Sequence, residues 1–235
     1  MAMQSNHWKI RSFVVLVSIL MILFCIDMAR GQTDALRKSF SQAQREPHLR
    51  KTFIESYVQQ EGLPDHVLEI LYSDEVRVFA VTNPLVRTEN GSYRTTSHAL
   101  AIGRGYPSRM TFGPKMFHSA FTYDDFQSVV QHEGAHAKFW ASGKLNYLEN
   151  VDTSENSEVR LKGLFPILFE LDALKTQMEN PTWEKTSEQF RKGQEAYRQK
   201  WLNKLAGLEK QSYMYDLSAL LKRIHRTYGR DSQVN

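Results

Sequence analysis

Cysteine is nearly missing from this sequence: 235 residues contain one, Cys25. A lone cysteine cannot form an internal disulfide or a multi-thiolate metal site. Charge of one sign is also scarce. The formal net charge is +4, which offers no electrostatic case for a nucleic-acid partner. No internal repeat and no low-complexity tract occurs. An apolar run long enough to span a bilayer, about 20 residues, is lacking too; the one long stretch, Phe13 to Ile26, is shorter and is broken by Ser18.

That stretch has a different signature. Lys9 and Arg11 precede it, and Ala29 and Gly31 place small residues at −3 and −1 before Gln32. A basic start, a short apolar core and a small-residue cleavage site make a secretory signal peptide. Residues 1–31 are expected to be removed, giving a secreted or periplasmic protein. The chain would contact a membrane only if the segment were retained as an anchor. Cleavage would take Cys25 away and lower the net charge to +2, since the segment holds Lys9, Arg11 and Arg30 against Asp27. Residues 32–47 read as a polar, flexible leader and 48–235 as a single domain.

Within that domain, Leu49 to Val58 has helical spacing, closed by Gly62-Leu63-Pro64, and a second short helix is expected from Asp65 to Tyr72. Strand-like segments follow at Val76 to Val81, Tyr93 to Ile102 and Arg109 to Phe117, with Asn90-Gly91 as a turn. Pro114 makes the last of these an edge strand. The remainder reads as helical. Pro166 either kinks a long helix or opens a new one at its first turn. Phe190, Tyr197, Trp201, Leu205 and Leu208 form one apolar stripe, and Leu217, Leu220, Leu221, Ile224 and Tyr228 another; both read as core.

The most informative residues are His132-Glu133-Gly134-Ala135-His136. On a helix, positions i and i+4 share a face one turn apart, so two imidazoles can reach one zinc ion at about 2.0–2.1 Å. Glu133 then lies beside the metal, placed to accept a proton from a water that the metal activates. The context suits such a helix. Thr122 and Asp125 stand in capping-box register, Phe126, Val129, Val130, Phe139 and Trp140 supply apolar surface, and Gly143 stands where the helix should stop.

Two histidines do not complete a catalytic site, which ordinarily has three protein ligands and a water. No Gly-x-x-His follows His136, so a third histidine of the metzincin kind is lacking. A carboxylate on a later helix is expected instead. Glu170 is the choice, because it interrupts the apolar run Leu164 to Leu174, where a buried acid is costly unless paired or metal-bound. Asp152, Glu155 and Glu158 are the fallbacks. His48, His66, His98 and His118 are not assigned to the metal.

With His132-Glu133-x-x-His136 and Glu170-x-x-Ala173 together, residues 108–176 resemble the gluzincin zinc metallopeptidases, in particular small bacterial members. Leu174 stands where part of that family has an aspartate. The resemblance implies an α+β, zincin-like fold: a small mixed or antiparallel sheet packed on the active-site helix within residues 48–143, then a helical subdomain over 144–235 carrying the glutamate helix. It implies Zn2+ as cofactor, a peptide or protein as substrate, and Glu133 as the general base. It also implies an oxyanion donor, with Tyr213, Tyr215, His225 and Tyr228 all open, and a partner for a ligating histidine, for which Asp172 is available. Arg109 to Phe117 would align an extended peptide. The rival expectation is a catalytically silent zincin-like protein serving a binding or structural role in the cell envelope.

Overall fold

The computed structural model describes residues 4–61, 63, 67–72, 86–87, 93–94, 99–102, 108–154, 156–161, 163–211 and 218–229. The chain divides into two compact units, Met1–Gln60 and Glu61–Asn235.

In the first unit, helix α1 (Gln4–Arg45) runs without a break through the expected cleavage position. Residues 32–45, read from their polarity as a flexible leader, are helical, and Leu36, Phe40 and Ala43 are buried. Their spacing of four and three residues puts them on one stripe of the helix. Helix α2 (Arg50–Gln60) meets that stripe: the rings of Phe40 and Phe53 lie 5.3 Å apart, and Arg50 Nε donates to the carbonyl of Ala43 at 3.2 Å. A few apolar residues at helical spacing thus outweigh a hydrophilic average. Among the described residues, no helix is long and apolar enough to cross a membrane.

Among the described residues of the second unit, the strands are five short segments: β1 (Val67–Tyr72), β2 (Val86–Arg87), β3 (Tyr93–Arg94), β4 (Ala99–Ile102) and β5 (Ser108–Phe112). β1 pairs in parallel with β5, β5 pairs antiparallel with β4, and β2 pairs with β3. Two expectations are corrected by this, and a third falls where nothing is described. The helix expected from Asp65 to Tyr72 is extended where it is described, its β-branched and aromatic residues fitting a strand. Val76 to Val81 lies outside the described residues. The segment Arg109 to Phe117 is not an edge strand, because β5 stands between β1 and β4 and ends at Phe112. Pro114 opens a 3-10 turn (Pro114–Phe117) instead of lying within the strand.

The fold class is corrected as well. From Tyr123 onwards every described regular element is helical: α3 (Tyr123–Ser142), α4 (Glu158–Leu161), α5 (Phe165–Glu179), α6 (Glu188–Gln211) and α7 (Ser218–Tyr228), with one 3-10 turn at Trp183–Lys185. Helices account for most of the described residues, and the α+β, zincin-like sheet fold implied by the resemblance is not what they show. The reason lies in the C-terminal half, whose amphipathic helices build a core from their own apolar stripes. Leu164, just before α5, and Leu168 and Leu171 from α5 cluster with Phe139 from α3, Leu205 from α6, and Leu221 and Ile224 from α7.

Local chemistry fixes the two helices that matter most. Thr122 Oγ1 accepts from the backbone N–H of Asp125 at 3.1 Å, and Asp125 Oδ2 accepts from that of Thr122 at 2.8 Å, which closes the capping box of α3. Asp125 also accepts from the backbone N–H and the hydroxyl of Ser187, at 2.8 and 2.9 Å, tying this helix start to the approach of α6. At the other end Gly143 takes φ 69°, the left-handed conformation that stops the helix. Pro166 lies in the first turn of α5, where its missing N–H costs no hydrogen bond, so it opens a new helix rather than kinking a long one.

Candidate metal centre

Helix α3 presents His132 and His136 one turn apart, both buried, with their rings 4.8 Å apart and nearly perpendicular. Helix α5 crosses α3 and brings Glu170 between them. Nε2 of His132 lies 3.7 Å from Glu170 Oε2, and Nε2 of His136 lies 3.8 Å from Glu170 Oε1. One ligand atom from each of the three residues falls within 4.8 Å of the others. The expected trio is therefore brought together across 34 residues of sequence.

Contacts of 3.7 and 3.8 Å are too long for hydrogen bonds. Ligands at about 2.0–2.1 Å around a tetrahedral ion stand about 3.4 Å apart, against up to 4.8 Å here, so the trio would have to draw in to hold one. The donor set, two imidazoles and one carboxylate, could hold a divalent cation.

Electrostatics favours the ligand-competent states of two of the three groups. Burial, together with the neighbouring His132, pushes the His136 imidazole down to about 3 against the pull of Glu170, so it is neutral at physiological pH. Burial would raise Glu170, but the approach of His132, the charge of His136 and the hydroxyl of Tyr197 hold it down to about 2, and it is ionised. His132 is desolvated too, yet Glu170, Glu133 and Gln177 together raise it above its ordinary value. Among the three, His132 is the group for which a metal must compete with a proton.

The surroundings hold these groups in place. The Phe169 ring stacks on His136 at 3.9 Å, and Phe139 and Trp140 pack edge-on or tilted against Phe169. Glu133 is buried and near enough to act electrostatically on both His132 and Tyr197. From α6, the Tyr197 hydroxyl donates to Glu170 Oε2 at 3.2 Å. Tyr197 was legible only as one member of an apolar stripe. A phenol offset toward the glutamate is a feature of helix packing, and its spacing gave no signal.

Other expected roles fall elsewhere. Asp172 accepts from the backbone N–H groups of Asn146 and Tyr147, at 2.8 and 3.0 Å, and from the hydroxyl of Tyr228 at 2.8 Å. It is committed to a buried structural junction and partners neither histidine, because positions i and i+2 point apart on a helix. Tyr228 is spent at that same junction and is not available as an oxyanion donor. His225, three residues before it on α7, is not grouped with the two histidines and Glu170; Tyr213 and Tyr215 lie outside the described residues. Of the fallback ligands, Asp152 accepts from the backbone of Ser154 at 2.9 Å and Glu158 is an exposed residue at the start of α4. Glu155 lies outside the described residues, as do His66 and His98. His118 is exposed and accepts from the backbone of Ala120 at 3.2 Å, away from the metal trio.

No protein-family profile, curated protein or solved structure matches this chain. The resemblance to gluzincins rests on the two motifs alone.

Proposed function

We propose that this chain is a zinc-dependent peptidase of gluzincin type, with His132, His136 and Glu170 as metal ligands and Glu133 as general base. The observation that carries the reading is the convergence of two buried imidazoles on α3 and one half-buried carboxylate on α5, with the buried carboxylate of Glu133 beside them. A group of this kind is expensive to bury without a cation to compensate it.

When bound, zinc supplies Lewis-acid polarisation of a carbonyl and lowers the pKa of water towards 7. The protein supplies the rest. Glu133 takes the proton from the attacking water and passes it to the departing amine. Tyr197 fixes Glu170 by one oxygen, which orients the carboxylate, while Phe169 holds the His136 ring face-on and keeps solvent from it. The substrate is a peptide or protein, and the site of action is outside the cytoplasm if residues 1–31 are removed on export.

The deciding experiment digests a peptide library with the full chain and its Glu133→Gln variant, each with and without a chelator. Wild type should cleave only while it holds metal. The variant should keep its metal and lose about 10²–10⁴ in rate, the usual contribution of a positioned base. Equal cleavage by both would overturn the role of Glu133. Bound metal without cleavage in wild type would leave the silent envelope protein as the surviving reading.

A further inference from the structure

Seven residues beyond Glu170, on the same face of α5, stands Gln177, with 1% of its surface exposed. Its Nε2 donates to the hydroxyl of Ser128 at 3.1 Å. Ser128 is fully buried one helical turn before His132, on the metal-facing side of α3. With its nitrogen engaged there, the amide turns its oxygen elsewhere, and Oε1 is buried with no hydrogen-bond partner. Nδ1 of His132 is also buried with no partner. One atom is an acceptor and the other can carry a proton, so the two are complementary.

We propose that Gln177 is a positioning residue for the metal centre: its Oε1 accepts the Nδ1–H of His132, which fixes the tautomer that leaves Nε2 bare for the metal. Ser128 determines which end of the amide faces the ring. This deepens the zinc reading and rests on it. A ligating histidine needs such a partner on its other nitrogen, and losing one ordinarily weakens metal binding 10–100-fold. The sequence suggested Asp172 for the task, but that carboxylate is held by Asn146, Tyr147 and Tyr228. Leu174, one turn past Glu170, has no polar atom to offer. The neutral amide of Gln177 reaches the ring from a turn further along.

The test measures zinc affinity by chelator competition in the full chain, its Gln177→Leu, Gln177→Glu and Ser128→Ala variants, and records imidazole 15N shifts of zinc-loaded wild type. His132 should be protonated on Nδ1 and ligated through Nε2. Gln177→Leu should bind zinc about 10–100-fold more weakly, Gln177→Glu should restore most of that loss, and Ser128→Ala should give a smaller one. Unchanged affinity in Gln177→Leu would overturn the proposal, as would ligation of wild type through Nδ1. If Gln177→Leu fails to fold, the wild-type 15N shifts and Ser128→Ala decide the matter. Failure of wild type to bind zinc would overturn the metal centre itself along with this role, which separates the two failures.

Discussion

Replacing Glu170 by Gln removes the negative charge that bridges the two imidazoles while keeping side-chain volume. Both Glu170 oxygens face a histidine nitrogen, at 3.7 and 3.8 Å, so the change strips the metal trio of its only anion. Zinc sites with a full ligand set bind with roughly 10–16 kcal/mol. One ligand's share is then about 3 kcal/mol, a loss of about a hundredfold or more in affinity. Thermal unfolding converts this into a visible difference. At zinc a hundredfold above the wild-type Kd, binding stabilises wild type by about 2.7 kcal/mol, whereas a variant with a hundredfold weaker Kd gains about 0.4 kcal/mol. For a chain of this size the gap of about 2.3 kcal/mol corresponds to a difference of about 5–9 °C in the zinc-induced rise of Tm. Equal rises in the two proteins would refute the assignment of Glu170 as a ligand.

Asp172 and Gly143 carry structural predictions. Asp172→Ala leaves two backbone N–H groups and the Tyr228 hydroxyl without their acceptor, and should lower stability in urea melts by about 3 kcal/mol, given about 1–3 kcal/mol per stranded buried group. Burial raises the Asp172 carboxyl above its usual 3.8 despite those hydrogen bonds. Folding therefore favours its protonated form, and its contribution to stability is fullest below 3.8 and is lost as pH rises through the folded value. Wild type should gain stability relative to Asp172→Asn as pH falls from about 7 to 4, and a relative loss in the same melts would contradict the raised pKa. At Gly143, with φ 69°, an added methyl group meets nothing within 4 Å. Gly143→Ala should thus cost only the backbone strain of the left-handed region, about 1–2 kcal/mol; a larger loss would mean that packing, not conformation, selects glycine there.

The candidate site was more legible in the sequence than the fold around it, for a physical reason. Histidines four apart on a capped helix must share a face, and an acid inside an apolar helix must find a partner, so His132, His136 and Glu170 could be named from local rules. Thr122, Asp125 and Gly143 marked the ends of α3 through capping chemistry that acts within a few residues. Gln177, Ser128 and Tyr197 could not be found this way. Their roles come from the angle at which α5 and α6 cross α3, and that angle is set by side chains spread over the whole helical core. The α+β expectation failed because strand-like segments in the sequence were weighed above the helices that make up most of the described residues. β5 lies between two strands although Pro114 suggested an edge, because the proline falls beyond the strand's end. Within residues 32–45, average polarity concealed three apolar residues, Leu36, Phe40 and Ala43, that share one stripe of α1 and are buried.

Zinc content of the purified full chain, measured after dialysis against metal-free buffer and again after one equivalent of zinc is added back, tests the central claim most directly. The account predicts that one ion per chain is retained, and that His132→Ala and His136→Ala each abolish the retention. Less than about a tenth of an equivalent in wild type, given how tightly such sites hold zinc, would contradict it.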